Sequence, residues 1–439
     1  MRPIRIEDPD IDGGRVEHEV SVPRRLRGFF QADSFWVEFG SEAVGEACPP
    51  GILLVPPLVS IAPVAWASGT TVEVREVGRT FLESLDRLQS ALERMYPAVF
   101  TEDVEPLLYD EVVEYDTSTS GSSMLFSGGV DSLACYVEHR REEPALFTVH
   151  GSDVDLDNET AWESVHEQVG SFADPRGLTV HRIRSNFRAL RYGLVNACLT
   201  AGIDRGWWGS VHFGTALPAL CAPVAYHRGY EVVYEASGYT ADPTRPNAQP
   251  SFVDEIAWEG TRVEMTEVDR SRQDKIGVIA DYLAGTSDPL TVRSCYSDER
   301  GENCSECSKC RRTIVGLIVE GVDPNTVGYD VDGSTLADTR RAFEEGELRL
   351  HLPNRVFWEE IRDELDGEGD REYPYDDSGF FSWLRTVDLD RFVTEGEGRA
   401  EQLGYAAGRV LFEVPYPLDV WLWDAGRASV ERLLAGRSR

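Results

Sequence analysis

Leu125-Phe126-Ser127-Gly128-Gly129-Val130-Asp131-Ser132 is the stretch that decides how this chain is read. The apolar run Ser123–Phe126 leads into it as a short strand, and Leu133–Arg140 follows as a helix. Gly128 and Gly129 lack Cβ atoms, so the backbone can turn tightly and bring its N–H groups close to an anion. Ser127 and Ser132 add hydroxyl donors. The helix starting near Asp131 points its positive end at the same spot. Asp131 would repel a bare phosphate, so its expected task is to orient the loop or to meet Mg²⁺ through water. Strand, glycine turn and helix in this order predict a phosphate site.

The alternation continues toward the C-terminus. Ala145–His150 reads as a strand, Asn158–Phe172 as a helix with Asp157 as its N-cap, and Leu178–Ile183 as a strand. Gly193–Ala201 and Val211–His227 read as helices, Glu231–Ala236 and Arg262–Val268 as strands, and Ser271–Leu283 as a helix. This βαβ rhythm predicts an α/β fold with a doubly wound parallel sheet over residues 119–325. Residues 1–118 read as an α+β domain, with strands at Arg15–Val22, Ser34–Phe39, Ile52–Val55 and Thr70–Arg75 and a helix at Gly78–Tyr96. The uncharged stretch Ala47–Val72 exceeds twenty residues but holds Pro49, Pro50, Pro56, Pro57 and Pro63, so buried strands and turns are expected there, not a membrane span. Residues 326–439 read as a mostly helical region: Leu336–Glu345, Arg355–Leu365, Ser382–Leu384 and Ala400–Leu411, with an acidic loop at Asp363–Glu372.

The chain has 439 residues, 43 Lys+Arg against 77 Asp+Glu, and a formal net charge of −34. Only two of the 43 are lysines, Lys275 and Lys309. Acidity with almost no lysine is similar to the composition of proteins from salt-loving archaea. At low salt this charge repels nucleic acid and anionic lipid. In molar salt the Debye length falls to about 3 Å and the repulsion is screened, so nucleic acid is disfavoured without being excluded. Met1–Asp10 has no apolar leader, and a cytoplasmic, soluble protein is expected.

Four of the eight cysteines fall in Cys295-x8-Cys304-x2-Cys307-x2-Cys310. Two thiolate pairs joined by short loops suit a closed, structural Zn²⁺ knuckle over 295–312, and an iron–sulfur cluster second. Cys48, Cys135, Cys198 and Cys221 lie in apolar runs and read as small core residues.

Here a resemblance enters. Ser127-Gly128-Gly129-Val130-Asp131-Ser132 matches the SGGxDS signature of the PP-loop ATP pyrophosphatases at every fixed position, and no Walker-type Gly-Lys-Ser/Thr follows. With Ser294-Cys295-Tyr296 and Cys304-x2-Cys307-x2-Cys310-x-Arg312, the chain resembles the 7-cyano-7-deazaguanine synthases over residues 119–325. Its longer layout is similar to synthase-like proteins of antiviral defence systems. The resemblance implies a HUP-like fold and an enzyme that cuts ATP between its α- and β-phosphates. Such an enzyme adenylates a carboxylate and, with ammonia, makes an amide and then a nitrile, as in queuosine biosynthesis. It implies that Ser127, Gly128, Gly129, Val130, Asp131 and Ser132 hold pyrophosphate, with Mg²⁺, and that Cys295, Cys304, Cys307 and Cys310 hold Zn²⁺. Two other readings stand beside it: an ATP-binding subunit acting on a protein partner through the terminal regions, and an RNA-modifying amide ligase or sulfur transferase.

One segment departs from the family. Where the synthases carry Tyr-Pro-Asp-Cys-Arg-Pro-Glu-Phe near their substrate, this chain has Arg245-Pro246-Asn247-Ala248-Gln249-Pro250-Ser251-Phe252. A charged recognition set has become neutral, which puts the substrate's identity in doubt. Lys275, opening the helix after the Arg262–Val268 strand, is expected to contact ATP phosphates and act catalytically with Asp131, with Arg272 assisting. Gly238, at the carboxyl end of a strand, is expected to allow close approach of the nucleotide. Lys309 reads as an offset to thiolate charge, and His212 as a structural histidine.

Overall fold

The computed structural model describes residues 2–40, 43–101, 103–200, 203, 205–240, 251–286, 289–295, 301–367 and 371–393. Its strands are β1 (Ile4–Ile6), β2 (Asp10–Asp12), β3 (Arg15–Ser21), β4 (Ser34–Phe39), β5 (Val72–Gly78), β6 (Leu108–Val113), β7 (Ser122–Leu125), β8 (Ala145–His150), β9 (Val180–Ser185), β10 (Val232–Ala236), β11 (Ala257–Trp258) and β12 (Thr261–Thr266). All twelve belong to one mostly parallel sheet in the order β11-β12-β10-β7-β8-β9-β4-β3-β1-β5-β6, with β2 paired to β3 off this path.

The half that carries the glycine loop is parallel: β12, β10, β7, β8 and β9 all run the same way. Its central strands β7, β8 and β10 are buried on both faces, and alternation sends successive residues to opposite sides. Met124, Leu146, Val232 and Tyr234 enter one core with the helices Val130–His139, Arg272–Gly285 and Ser308–Val319. Leu125, Phe147 and Val233 enter a second core with the helices Phe213–Ala219 and Ala222–Arg228. The sheet is therefore covered on both faces.

Residues before 119 extend this sheet. β4 pairs antiparallel with β9 through Val37↔Ser185, Glu38↔Arg184 and Phe39↔Ile183. Ile52, Val55 and Leu58 share the second core with Cys221, Ala222 and Val224. The later residues close the first core, where Leu336, Phe343, Trp358, Phe380 and Phe381 pack with Val130 and Ile314.

Several elements differ from the sequence-based expectation. The proline-rich stretch is helical: Pro50–Leu53 and Val55–Ala67 replace the expected strand Ile52–Val55. Pro56 and Pro57 sit in the first turn, where no N–H is needed. Only Pro63 lies inside, and it costs about 3 kcal/mol. Burial of Leu58, Val59, Ile61 and Val64, at roughly 1.5–3 kcal/mol each, offsets it. The helix Glu159–Ala173 is capped by Asn158, not Asp157, because only the Asn158 side chain stands three residues before the free Ala161 N–H, which donates to it at 3.1 Å. The expected helix Val211–His227 is three pieces: a π-turn at Trp208–His212, then Phe213–Ala219 with Pro218, then Ala222–Arg228. The acidic stretch from Asp363 begins inside the helix Leu352–Gly367, held there by the fully buried Leu365. Residues 245–250, Tyr296 and the expected helix Ala400–Leu411 lie outside the described residues. No helix among the described residues is long and apolar enough to cross a membrane.

Candidate phosphate site and metal centre

The sheet order places the glycine loop. From β7 the chain moves to β8 on one side, while β10 flanks β7 on the other. The loop after β7 thus opens at the point where strand order reverses, where open α/β sheets hold ligands. Gly128 has φ +72°, a conformation that side chains with a Cβ adopt at a cost. Gly129 is extended and caps the ten-residue helix Val130–His139. The Ser132 hydroxyl donates to the Gly129 carbonyl at 3.1 Å and accepts from Ser127 N–H at 3.4 Å, closing the loop on itself.

Asp131 draws two cations to the loop. Arg272 Nη2 lies 2.9 Å from its Oδ2, and Lys275 Nζ lies 3.7 Å from its Oδ1. Both come from the helix Arg272–Gly285, which Ser271 starts with a capping box shared with Asp274. Lys275 is fully buried and donates to the Ser237 carbonyl at 2.5 Å. Burial pushes its ammonium down, and Asp131 opposes this. Lys275 therefore stands behind Asp131, whereas Arg272 faces open space. Arg272 Nη2 also lies 3.5 Å from the Gly238 carbonyl, so Gly238 lines the back of this guanidinium.

That open space is a cavity of about 800 Å³. Its walls include Ser127, Gly129, Asp131, Ser132 and Arg272, and also Arg205, Arg293, Lys309 and Arg312. Lys309, expected to serve the thiolates, faces the cavity; burial pushes its ammonium down to about 8, with Asp153 opposing. Residues beyond 325 complete the wall. Phe357 lies under two guanidinium groups, 4.3 Å from Arg312 and 5.1 Å from Arg272, and stacks on Tyr239. Glu360 accepts from the Arg272 backbone N–H at 3.0 Å.

Glu235 of β10 also lines the cavity and was missed from sequence. Its signal was there: one acid in an otherwise uncharged strand, Val232-Val233-Tyr234-Glu235-Ala236. It is 3% exposed, and burial, with Asp254 adding, pushes its carboxyl well above the ordinary range. His212 is turned away from this chemistry. It is fully buried, hydrogen-bonded to the Tyr192 hydroxyl at 2.7 Å, and burial pushes its imidazole down to about 3.

The four cysteines converge. The sulfurs of Cys295, Cys304, Cys307 and Cys310 all lie within 4.8 Å of one another. Cys304 and Cys310 are 3.9 Å apart, and Cys295 and Cys307 are 4.0 Å apart. Tetrahedral Zn–S bonds near 2.3 Å require S···S of roughly 3.8 Å, so the four positions fit a closed metal site. Asn303 fixes one approach: its side chain accepts from Ser294 and Cys295 N–H and donates to the Val292 and Gly328 carbonyls. The same segment touches the glycine loop, since Arg293 N–H donates to the Gly128 carbonyl at 2.8 Å. Loop and cysteine cluster are thus neighbours joined by one backbone hydrogen bond. No family model matches this chain, and no curated protein or solved structure matches it significantly.

Proposed function

We propose that this protein is an ATP-dependent adenylating enzyme of the 7-cyano-7-deazaguanine synthase type, with a PP-loop, HUP-like core. The observation that carries the reading is the glycine loop at the strand-order reversal, with Arg272 on Asp131 in the wall of the cavity. The backbone of Ser127–Ser132 would cradle the leaving pyrophosphate, and Arg272 would neutralise its charge. Lys275, behind Asp131, would act as a positioning residue for this pair. A substrate carboxylate oxygen attacks the α-phosphorus, the bond to the β-phosphate oxygen breaks, and pyrophosphate leaves. Ammonia then displaces AMP from the acyl carbon. Arg312 and Lys309 supply cations for the carboxylate, and the four cysteines hold Zn²⁺ as a structural centre.

The test is an incubation in molar KCl with ATP, Mg²⁺, ammonia and 7-carboxy-7-deazaguanine, following AMP, pyrophosphate and the mass of the acid. AMP with an amide or nitrile product supports the reading. Arg272→Ala should then slow AMP release by about tenfold or more. AMP formed only when another protein is added would favour action on a protein partner. No AMP under any condition, cell extract included, overturns the enzyme reading.

A further inference from the structure

Glu235 occupies a place that phosphate chemistry does not use. β10 and β7 pair through Tyr234↔Met124, and β7 and β8 pair through Leu125↔Phe147. One step further along β10, Glu235 stands beside Leu125, with Phe147 beyond it. Val233, Leu125 and Phe147 share one core, and side chains alternate along a strand, so Glu235 faces the same side. Phe213 and Leu217, one turn apart on the helix Phe213–Ala219, are walls of the same cavity. Sheet and helix thus form an apolar slot with a carboxyl at one end of its row.

Among the described residues that carboxyl meets no hydrogen-bond partner: Glu235 Oε2 is buried and makes no hydrogen bond. Leaving such an atom unpaired is costly. A ligand that enters the slot and pairs with it would offset that cost.

We propose that Glu235 determines the specificity of this cavity by reading the edge of a planar heterocycle, one that sets an N–H donor beside a ring acceptor. Burial favours the protonated carboxyl, and in that form it offers one O–H donor and one acceptor oxygen side by side. Such a pair matches an amino group next to a ring nitrogen, or a lactam N–H next to its carbonyl. Phe147 and Phe213 supply faces for a flat ring. Two molecules in the reaction proposed above carry such an edge: the adenine of ATP, and the ring of a deazaguanine-like acid. Naming these two sources rests on that reading; the role of Glu235 in ring binding does not.

Calorimetric titration of the full chain in molar KCl separates the cases. The ligands are Mg-ATP, 7-carboxy-7-deazaguanine and inorganic tripolyphosphate, and the variants are Glu235→Leu and Glu235→Gln. Glu235→Leu should weaken one ring ligand by about ten- to one-hundred-fold and leave tripolyphosphate unchanged. Glu235→Gln, which keeps a donor and an acceptor, should lose less. Loss of ATP identifies adenine as the occupant; loss of the acid identifies the second substrate. Both rings binding Glu235→Leu as they bind the native chain overturns the proposal, even where AMP release is intact. Glu235-dependent ring binding without AMP release upholds it and overturns the enzyme reading instead. Should Glu235→Leu fail to fold, infrared difference spectra of the native chain and Glu235→Gln decide. A ligand-induced shift of a protonated carboxyl band in the native chain alone supports the proposal, and no such shift with either ring overturns it. A native chain that binds neither ring overturns it as well.

Discussion

His212 shows how a single side chain can tie stability to pH without touching substrate. Its ring packs near Phe187, Tyr192 and Trp208, and burial holds its folded-state value at about 3 against an ordinary value near 6.5. The unfolded chain therefore takes up the proton first, and stability falls as pH drops through 6.5 toward 3. Between about pH 7 and about pH 5 this group should cost up to about 2 kcal/mol. Thermal melts of His212→Gln should show a smaller loss over that interval than the native chain. Equal losses in both would place the acid sensitivity at other groups. At this scale the sequence was uneven. Ser127 to Ser132 were legible because a short contiguous string carries the whole loop. Lys309 and Glu235 were not, because their meaning depends on which way a helix and a strand face, and β10 is buried on both sides. Lys275 illustrates the intermediate case: its neighbourhood with Asp131 was readable, but its position behind that carboxylate required the packed helix.

At the scale of elements, the knuckle and the glycine loop act on each other through the Val292–Cys295 segment. Four sulfurs at this spacing repel one another as thiolates unless a cation sits among them. The native protein should carry one metal per chain by elemental analysis, with Zn²⁺ expected and iron as the other outcome. Cys304→Ser, or a strong chelator, should lower the thermal midpoint and cost several kcal/mol of stability. An unchanged midpoint with the metal gone would mean that the knuckle stands by disulfides or by packing alone. Element boundaries were well read where periodicity was strong: β8 and β4 match residue for residue, and the helix Arg79–Met95 differs by one residue at each end. They failed at Val55–Ala67, where an unbroken apolar run carries no period and prolines argue locally against a helix that tertiary burial restores. The break at Trp208–His212 was equally hidden, since a π-turn leaves no mark on hydrophobic spacing.

At the scale of the whole molecule, the sheet crosses from the N-terminal residues into the site-bearing half without a seam. Residues 119–393 expressed alone would expose the β9 edge and the face now covered by Val55–Ala67. That fragment should be insoluble or melt without cooperativity, whereas a soluble fragment with a sharp melt would establish the N-terminal part as separable. The β4–β9 pairing also sets a timetable for synthesis. Phe39 meets Ile183, so the first strands leave the ribosome well before their partner exists. At 5–20 residues per second, β4 waits on the order of ten seconds with a bare edge and an uncovered apolar helix nearby. The nascent chain is thus most open to misassociation before its glycine loop has been joined to the rest, and any salt that screens the charge of −34 acts on that half-built intermediate as well as on the finished fold.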